Sequence, residues 1–184
     1  IGCCDWSSDV CSSDLKKLFK NEFLRAAVGG IVVILLTLLV GTRAYNGGGM
    51  DVIERIFEEG VVRPEAFLLK MIFTSITIGA GFKGGEIVPT LFIGATLGGT
   101  LALLVGLSPA FGAAIGIAAL FCGVTNCPIA TILLSVELFG GESALFCMIA
   151  ALVSFLFSGY FSLYSGQQLI YSKLSEKEIN VHGH

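Results

Sequence analysis

Long apolar segments alternate with short breaks that contain glycine or proline along most of this chain. Several of these segments fall short of the roughly 20 residues that a simple membrane-spanning helix needs. Short, interrupted hydrophobic segments are typical of broken helices whose ends meet inside a membrane protein. The pattern predicts an all-α polytopic membrane protein with short, broken and tilted helices. The apolar segments cover roughly residues 26–40, 90–107, 109–121, 129–139 and 142–164.

Two further helices are predicted between the first and second apolar segments. Residues 51–59, DVIERIFEE, are short and amphipathic, and Asp51 with Glu54 three residues later comes close to a capping box. Arg63-Pro64 begins another helix that runs to about Ile78. Lys70 interrupts its apolar pattern, so we expect this side chain either to snorkel or to face a polar interior.

The composition places the chain in the membrane class. Of its 184 residues, 54% are apolar and 14% are charged, whereas soluble domains average about 25% charged residues. No Lys or Arg occurs from Gly84 to Ser172, although a helix that faces water needs a polar stripe. The formal net charge of −3 argues against a nucleic-acid partner.

Residues 1–15 differ from the rest because they are polar and lack a helical period. The run Asp5–Leu15, DWSSDVCSSDL, resembles a translated sequencing adapter, so we treat 1–15 as a non-native leader. The chain is then expected to be a fragment cut in mid-gene.

The cysteines do not predict a metal site or a disulfide. Those of the leader carry no structural information, and the other three lie in apolar segments without a nearby histidine. We therefore expect them to be small core residues, and we predict no metal or cofactor. These three are Cys122, Cys127 and Cys147.

The segment 79–99, GAGFKGGEIVPTLFIGATLGG, carries the chemistry. Pro89 suits the first turn of a helix, where its missing N–H would have no intrahelical acceptor. The amides at such a helix start are unpaired donors, and within a membrane they favour an anion. We therefore predict anion binding at a helix N-terminus near residues 86–90.

Residues 79–84 also match G-x-G-x-x-G formally. A dinucleotide site requires a preceding strand and an acid about twenty residues later. Residues 99–107, GTLALLVGL, contain no acid, so we reject the nucleotide interpretation.

Five segments, in order along the chain, resemble the CLC family of chloride channels and proton-coupled anion exchangers. GGEIVP followed by TLFIGATLGG resembles the family's G-x-F-x-P signature, and TNCPIATILLSVELFG resembles a helix at its dimer interface. LRAAVGG and YNGGGMDVI resemble the start of the family's second half, and GQQLIYS resembles its final short helix. The resemblance implies that residues 16–176 form the second inverted repeat of a CLC-type fold, with 177–184 a short polar tail.

The resemblance also implies the site residues. Gly85, Glu86 and Ile87 would bind the anion at the helix start, with Pro89 in its first turn, and the Tyr171 hydroxyl would donate a second hydrogen bond. Ile87 replaces the motif's phenylalanine, which matters little because the backbone is the donor.

Glu86 departs from chloride-type members, which usually carry an aliphatic residue at this position, and matches the fluoride-exporting branch. A carboxylate repels an anion unless it is protonated, so Glu86 would be a proton-linked or anion-competing group. The alternatives are an ordinary chloride-type protein and an acid stabilised by the helix dipole. Glu137, near a helix end, corresponds to an acid that the family uses structurally.

The implied partners are chloride or another halide, including fluoride with protons, and the lipid bilayer. The resemblance further implies a homodimer through roughly 128–161 in a prokaryotic inner membrane. The gating glutamate and the inner-gate residue would belong to an N-terminal half that this sequence lacks. The implied activity is transport, by channel or exchange.

Two other classes compete with this interpretation. An intramembrane enzyme needs a nucleophile–base pair or metal ligands within apolar segments, but the only histidines are His182 and His184 in the tail. An unrelated carrier with broken helices is the second alternative. The anion interpretation fails if residues 85–90 lie in mid-helix rather than at a helix start.

Overall fold

Helices make up nearly all of the described chain. The computed structural model describes residues 22–42, 44–82 and 84–159, with the backbone of 168–171 and 178–182. Over the first three of these ranges the predicted helical architecture is confirmed. The elements are α1 Glu22–Val40, α2 Met50–Glu58, α3 Ala66–Gly79, α4 Ile87–Val105, α5 Pro109–Thr125, α6 Pro128–Phe139, α7 Gly141–Phe157, β1 Gln168–Tyr171 and β2 Glu178–His182.

The centre of the fold is the α4–α5 pair, joined by a tight connection. Gly106 ends α4 in the left-handed region with φ 82°, and the Ser108 hydroxyl accepts a hydrogen bond from the Phe111 amide to cap α5. Pro109 then opens α5, which suits its fixed φ. The connection allows α5 to pack along α4.

Facing glycines bring the two backbones into contact. A Cβ atom on Gly98 would lie 2.8 Å from the Gly116 Cα, and one on Gly94 would lie 2.8 Å from the Gly116 carbonyl oxygen. Gly112 and Gly116 of α5 therefore contact the glycines of α4. Small residues give membrane helices the van der Waals contact that drives their association.

The other helices surround this pair. α7 packs on α5 and α6, α3 packs on α4, and α1 packs on α3. α2 packs against α4 and α5 and inserts Ile56, which is fully buried beside Ala95 and Ala113.

Apolar side chains cover the outer surface. Leu39 of α1 is 84% exposed and Ile129 of α6 is 75% exposed. Among the described residues, two helical segments, Phe23–Val40 and Ile87–Val105, are long and apolar enough to cross a membrane. The shorter apolar helices are Ala66–Gly79, Pro109–Thr125, Pro128–Phe139 and Ser143–Phe157.

Two predicted helix boundaries were wrong. Asp51 is not the N-cap of α2: Gly49 is, in the left-handed region at φ 73°, and no side chain caps this end. The segment predicted as a helix over 142–164 ends at Phe157, where Gly159 turns the chain at φ 70°. Residues 160–164 lie outside the described part of the chain. In both cases the boundary lies at a glycine with positive φ, a conformation that glycine adopts at little steric cost.

The predicted final short helix over 166–172 was also wrong. Gln168–Tyr171 forms β1, which pairs antiparallel with β2 and places Leu169 opposite Val181 and Tyr171 opposite Glu178. Segments this short are marginal helices, and β-branched and aromatic residues favour strands.

Replacing Gly98 with Ala should destabilise the protein, because the new methyl group meets the backbone of α5. We expect a loss of about 1–3 kcal/mol in the free energy of unfolding, measured by denaturation in mixed micelles. Gly30→Ala is the matched control, since nothing lies within 4 Å of its Cβ position, and it should be neutral or stabilise by about 0.5–1 kcal/mol. Equal effects of the two substitutions would contradict the glycine contact.

Candidate functional site

The helix start at α4 is formed as the candidate anion site requires. Glu86 occupies the N-cap, Ile87 is the first helical residue and Pro89 lies in the first turn. The first backbone bond of the helix runs from the Thr90 amide to the Glu86 carbonyl oxygen at 3.2 Å. The N–H groups of Ile87 and Val88 therefore precede the first intrahelical donor, and Pro89 has no N–H. Residues 85–90 thus lie at a helix start rather than in mid-helix.

The start of α4 is open, whereas its second turn is buried. Gly85 is exposed, Glu86 is partly buried and Ile87 is 38% exposed, but Thr90 is 2% and Phe92 0% exposed. The positive end of the helix dipole therefore reaches an accessible surface of the described chain. A ligand could approach this end without displacing the core.

Thr90 supports the turn at the helix start from inside. Its hydroxyl donates to the Glu86 carbonyl oxygen at 2.8 Å, beside the backbone bond to the same oxygen. Because this carbonyl is held within the helix and shares a planar peptide unit with the Ile87 N–H, the direction of that N–H is fixed as well.

The turn that leads from α3 toward α4 is held by α1. Arg25 donates from Nε to the Ala80 carbonyl oxygen at 3.3 Å. Gly81 adopts φ 91°, and a Cβ there would lie 2.8 Å from the Arg25 guanidinium. Gly29 lets α1 approach Ala80 so closely that a Cβ at position 29 would clash.

A second support comes from the loop before α2. Lys70 is 1% exposed and its Nζ donates to the carbonyl oxygens of Tyr45 and Gly47 at 3.1 and 2.5 Å. Of the two predicted positions for Lys70, the structure therefore selects the interior, not the snorkelling one. Its partners are backbone carbonyls, which a sequence pattern does not reveal.

The remaining predicted residues lie apart from this helix start in the chain. Tyr171 lies in β1, and its side chain is outside what the structure describes, so its contact with an anion stays a prediction. Glu137 is exposed near the end of α6. The G-x-G-x-x-G match begins at the last residue of a helix, α3, rather than after a strand, which removes the context a dinucleotide site needs.

The cysteines that the structure describes do not pair with one another in a disulfide. Cys122 and Cys147 are buried, as expected of small core residues, and Cys127 is partly buried. In the part of the chain that was searched, no group of three or more His, Cys, Asp or Glu side chains could hold a metal ion.

Comparison with known proteins identifies the family. Residues 3–159 match the family described as voltage gated chloride channel. The chain belongs to this family. A chloride/fluoride channel protein of Pseudomonas syringae pv. tomato is 38% identical over 165 residues, 86% of this chain and 36% of that protein. A voltage-gated ClC-type chloride channel, ClcB, of Escherichia coli is 30% identical over 168 residues, 79% of this chain and 38% of that protein.

The fold of the voltage-gated chloride channel family is also shared. The crystal structure of a CLC-type fluoride/proton antiporter superposes with a TM-score of 0.82 at 32% identity, covering 89% of this chain and 41% of that one. The chain thus spans between a third and a half of the length of these relatives and covers the C-terminal part. The family consists of integral membrane channels and transporters, which favours transport over catalysis.

Gly81→Ala should disturb the turn into the candidate site, because residue 81 adopts a left-handed backbone and faces Arg25. We expect a loss of about 1–3 kcal/mol in the free energy of unfolding. Gly84→Ala is the control, since position 84 is exposed and open space surrounds its Cβ position. A loss no larger than that of Gly84→Ala would show that the conformation at Gly81 does not constrain the protein.

Proposed function

We propose that this chain supplies the anion-binding helix of a transmembrane halide transporter. The observation that carries the proposal is the start of α4, where the Ile87 and Val88 amides precede the first intrahelical donor at an open surface. Hydrogen-bond donors at the positive end of a helix dipole bind anions. Membership of a chloride-channel family gives the ligand class.

Glu86 makes fluoride with proton exchange the substrate class we favour. Its carboxylate is attached to the residue that caps α4, so a bound halide and an ionised Glu86 repel each other. Protonation relieves this repulsion, which couples anion occupancy to a proton. The relatives named for fluoride share 38% and 32% identity with this chain. Fluoride is the strongest hydrogen-bond acceptor among the halides, so a neutral carboxyl group can serve as its donor.

A simple chloride pathway is the second candidate, supported by the ClcB relative. In that case Glu86 would be a helix N-terminal acid that the dipole stabilises. The two candidates differ in whether halide movement depends on protonation of residue 86.

The intact transporter would complete the site from elsewhere. We propose that the Tyr171 hydroxyl donates to the anion and that an N-terminal half supplies the remaining wall and the gate. Residues 128–161 would form a homodimer interface within a prokaryotic inner membrane. An apolar stripe on α6 supports this interface, since Ile129, Leu133 and Val136 are 75%, 65% and 43% exposed at helical spacing.

Glu86→Gln tests the coupling. A full-length transporter that carries this chain would be reconstituted in liposomes. Halide efflux and proton uptake would be measured together from about pH 5.5 to about pH 8. If Glu86 is a working carboxylate, the substitution should lower proton-coupled fluoride flux by about tenfold or more and flatten its pH dependence. Glu58→Gln is the control, because Glu58 is exposed at the end of α2.

Unchanged fluoride and proton flux in the Glu86→Gln protein would exclude the coupling role. Chloride flux that exceeds fluoride flux in both proteins, without proton movement, would favour the chloride candidate instead.

Tyr171→Phe tests the second donor. Removing the hydroxyl should weaken halide binding by about 10–100-fold, the usual effect of one hydrogen bond to a charged group, as measured by isothermal titration. Tyr164→Phe is a matched control, because Tyr164 lies in the apolar segment that precedes the GQQLIYS motif. Equal affinities of the Tyr171→Phe and wild-type proteins would remove Tyr171 from the site.

A further inference from the structure

Lys70 is fully buried, at 1% exposure. Burying an ammonium group is costly unless its donors are paired. It has three N–H donors, and the structure provides three partners: the carbonyl oxygens of Tyr45 and Gly47, and the Phe92 ring, whose centroid lies 5.0 Å from Nζ. No carboxylate of the described residues forms an ion pair with it.

These three partners come from two different segments. Tyr45 and Gly47 belong to the loop of residues 44–49 between α1 and α2, which we name the glycine loop. Phe92 belongs to α4. A single α3 side chain therefore joins the glycine loop to the helix whose start is the candidate anion site.

The glycine loop also touches α4 directly. A Cβ on Gly48 would lie 3.3 Å from Val88 Cγ1, and one on Gly49 would lie 2.7 Å from the Phe92 ring. Val88 and Phe92 are four residues apart, so they lie on one face of the helix. The loop thus lies along the first two turns of α4, beginning one residue after Ile87.

Aromatic rings of α3 and α4 pack against Tyr45 of the glycine loop. The Tyr45 ring lies 6.2 Å from both the Phe73 and the Phe92 ring, measured between centroids, and the contact with Phe92 is edge-to-face. All three are buried. The loop is consequently fixed at its first end by Tyr45 and at its centre by Lys70.

We propose that Lys70 is a positioning residue for the anion site: it holds the glycine loop against Val88 and Phe92 and so fixes the direction of the first-turn amides of α4. This inference rests on the proposed function. Residue 70 acts through the loop carbonyls and not by contact with the anion. Phe92 lies about 7.5 Å along the helix from Ile87, at about 1.5 Å per residue.

The test compares Lys70→Met with Lys70→Arg in the full-length transporter that carries this chain. Methionine fills much of the volume but has no donors, whereas arginine keeps the charge and the donors. Leu68→Met is the control on the same helix, since Leu68 is 52% exposed. The readouts are the amide hydrogen exchange of residues 44–50 and the KM and kcat of fluoride flux, with chloride flux for comparison.

Lys70→Met should speed exchange in the glycine loop by about tenfold or more, because the loop loses its central attachment. It should raise KM by about tenfold while kcat changes by less than about threefold. Lys70→Arg should return both quantities to within about threefold of the wild type. Unchanged loop exchange in Lys70→Met, or equal losses in the Met and Arg proteins, would overturn the proposal.

Gly49→Ala separates the effect of the glycine loop's position from the effect of the Lys70 charge. It pushes the loop away from the Phe92 ring but leaves the Lys70 ammonium in place, so it should raise KM as Lys70→Met does. Because both substitutions act on one loop, the double variant should be no more than about threefold worse than the weaker-binding single variant. A wild-type KM in Gly49→Ala, or losses that multiply in the double variant, would overturn the proposal.

A variant that does not fold and a wild type that moves no halide can each be distinguished from failure of the Lys70 proposal. If Lys70→Met does not fold, Lys70→Gln replaces it, because its shorter neutral amide reaches at most one carbonyl; the same comparison of loop exchange then decides. If the wild type moves no halide, the proposed function fails, while loop exchange in the Lys70 variants still decides whether Lys70 holds the loop.

Discussion

The direct backbone contact between α4 and α5 is the constraint on which the rest of the structure depends. In a membrane, apolar side chains gain little by leaving lipid for protein, so helix association relies on close packing. Gly98 and Gly116 remove the side chains that would keep the two helices apart. The middle of α4 is thereby buried while its start stays open, and this division is what makes a site at the helix start possible.

Three side chains then support the open end of α4. From α1, Arg25 fixes the turn that precedes it, and from α3, Lys70 fixes the glycine loop that lies along it. Thr90 secures the Glu86 carbonyl from within the helix. A site built from backbone amides cannot be adjusted by rotating side chains, so its geometry depends on such supports.

The candidate anion site is built mainly from backbone groups. Its donors are main-chain amides near Ile87, and the one acid at the same place is Glu86. The chain covers 36% of the Pseudomonas relative and 41% of the antiporter structure. The proposed function assigns the remaining wall of the site and the gate to a part of the transporter outside this chain.

The sequence by itself determined the class of the fold and the location of the helix start that forms the candidate anion site. Apolar runs, the lack of cations from Gly84 to Ser172, and Pro89 after a glycine-rich segment are local signals, because each reflects the solvent or the backbone of its own segment. Only the tertiary structure decided which residues contact one another across different segments. Lys70 points into the interior and donates to two carbonyl oxygens, and Gly94 and Gly98 contact the backbone of α5. Residues 168–171 form a strand where a short helix was expected. These outcomes depend on contacts between residues far apart in the chain. The hydrophobic pattern of one segment does not indicate which other segment it will contact.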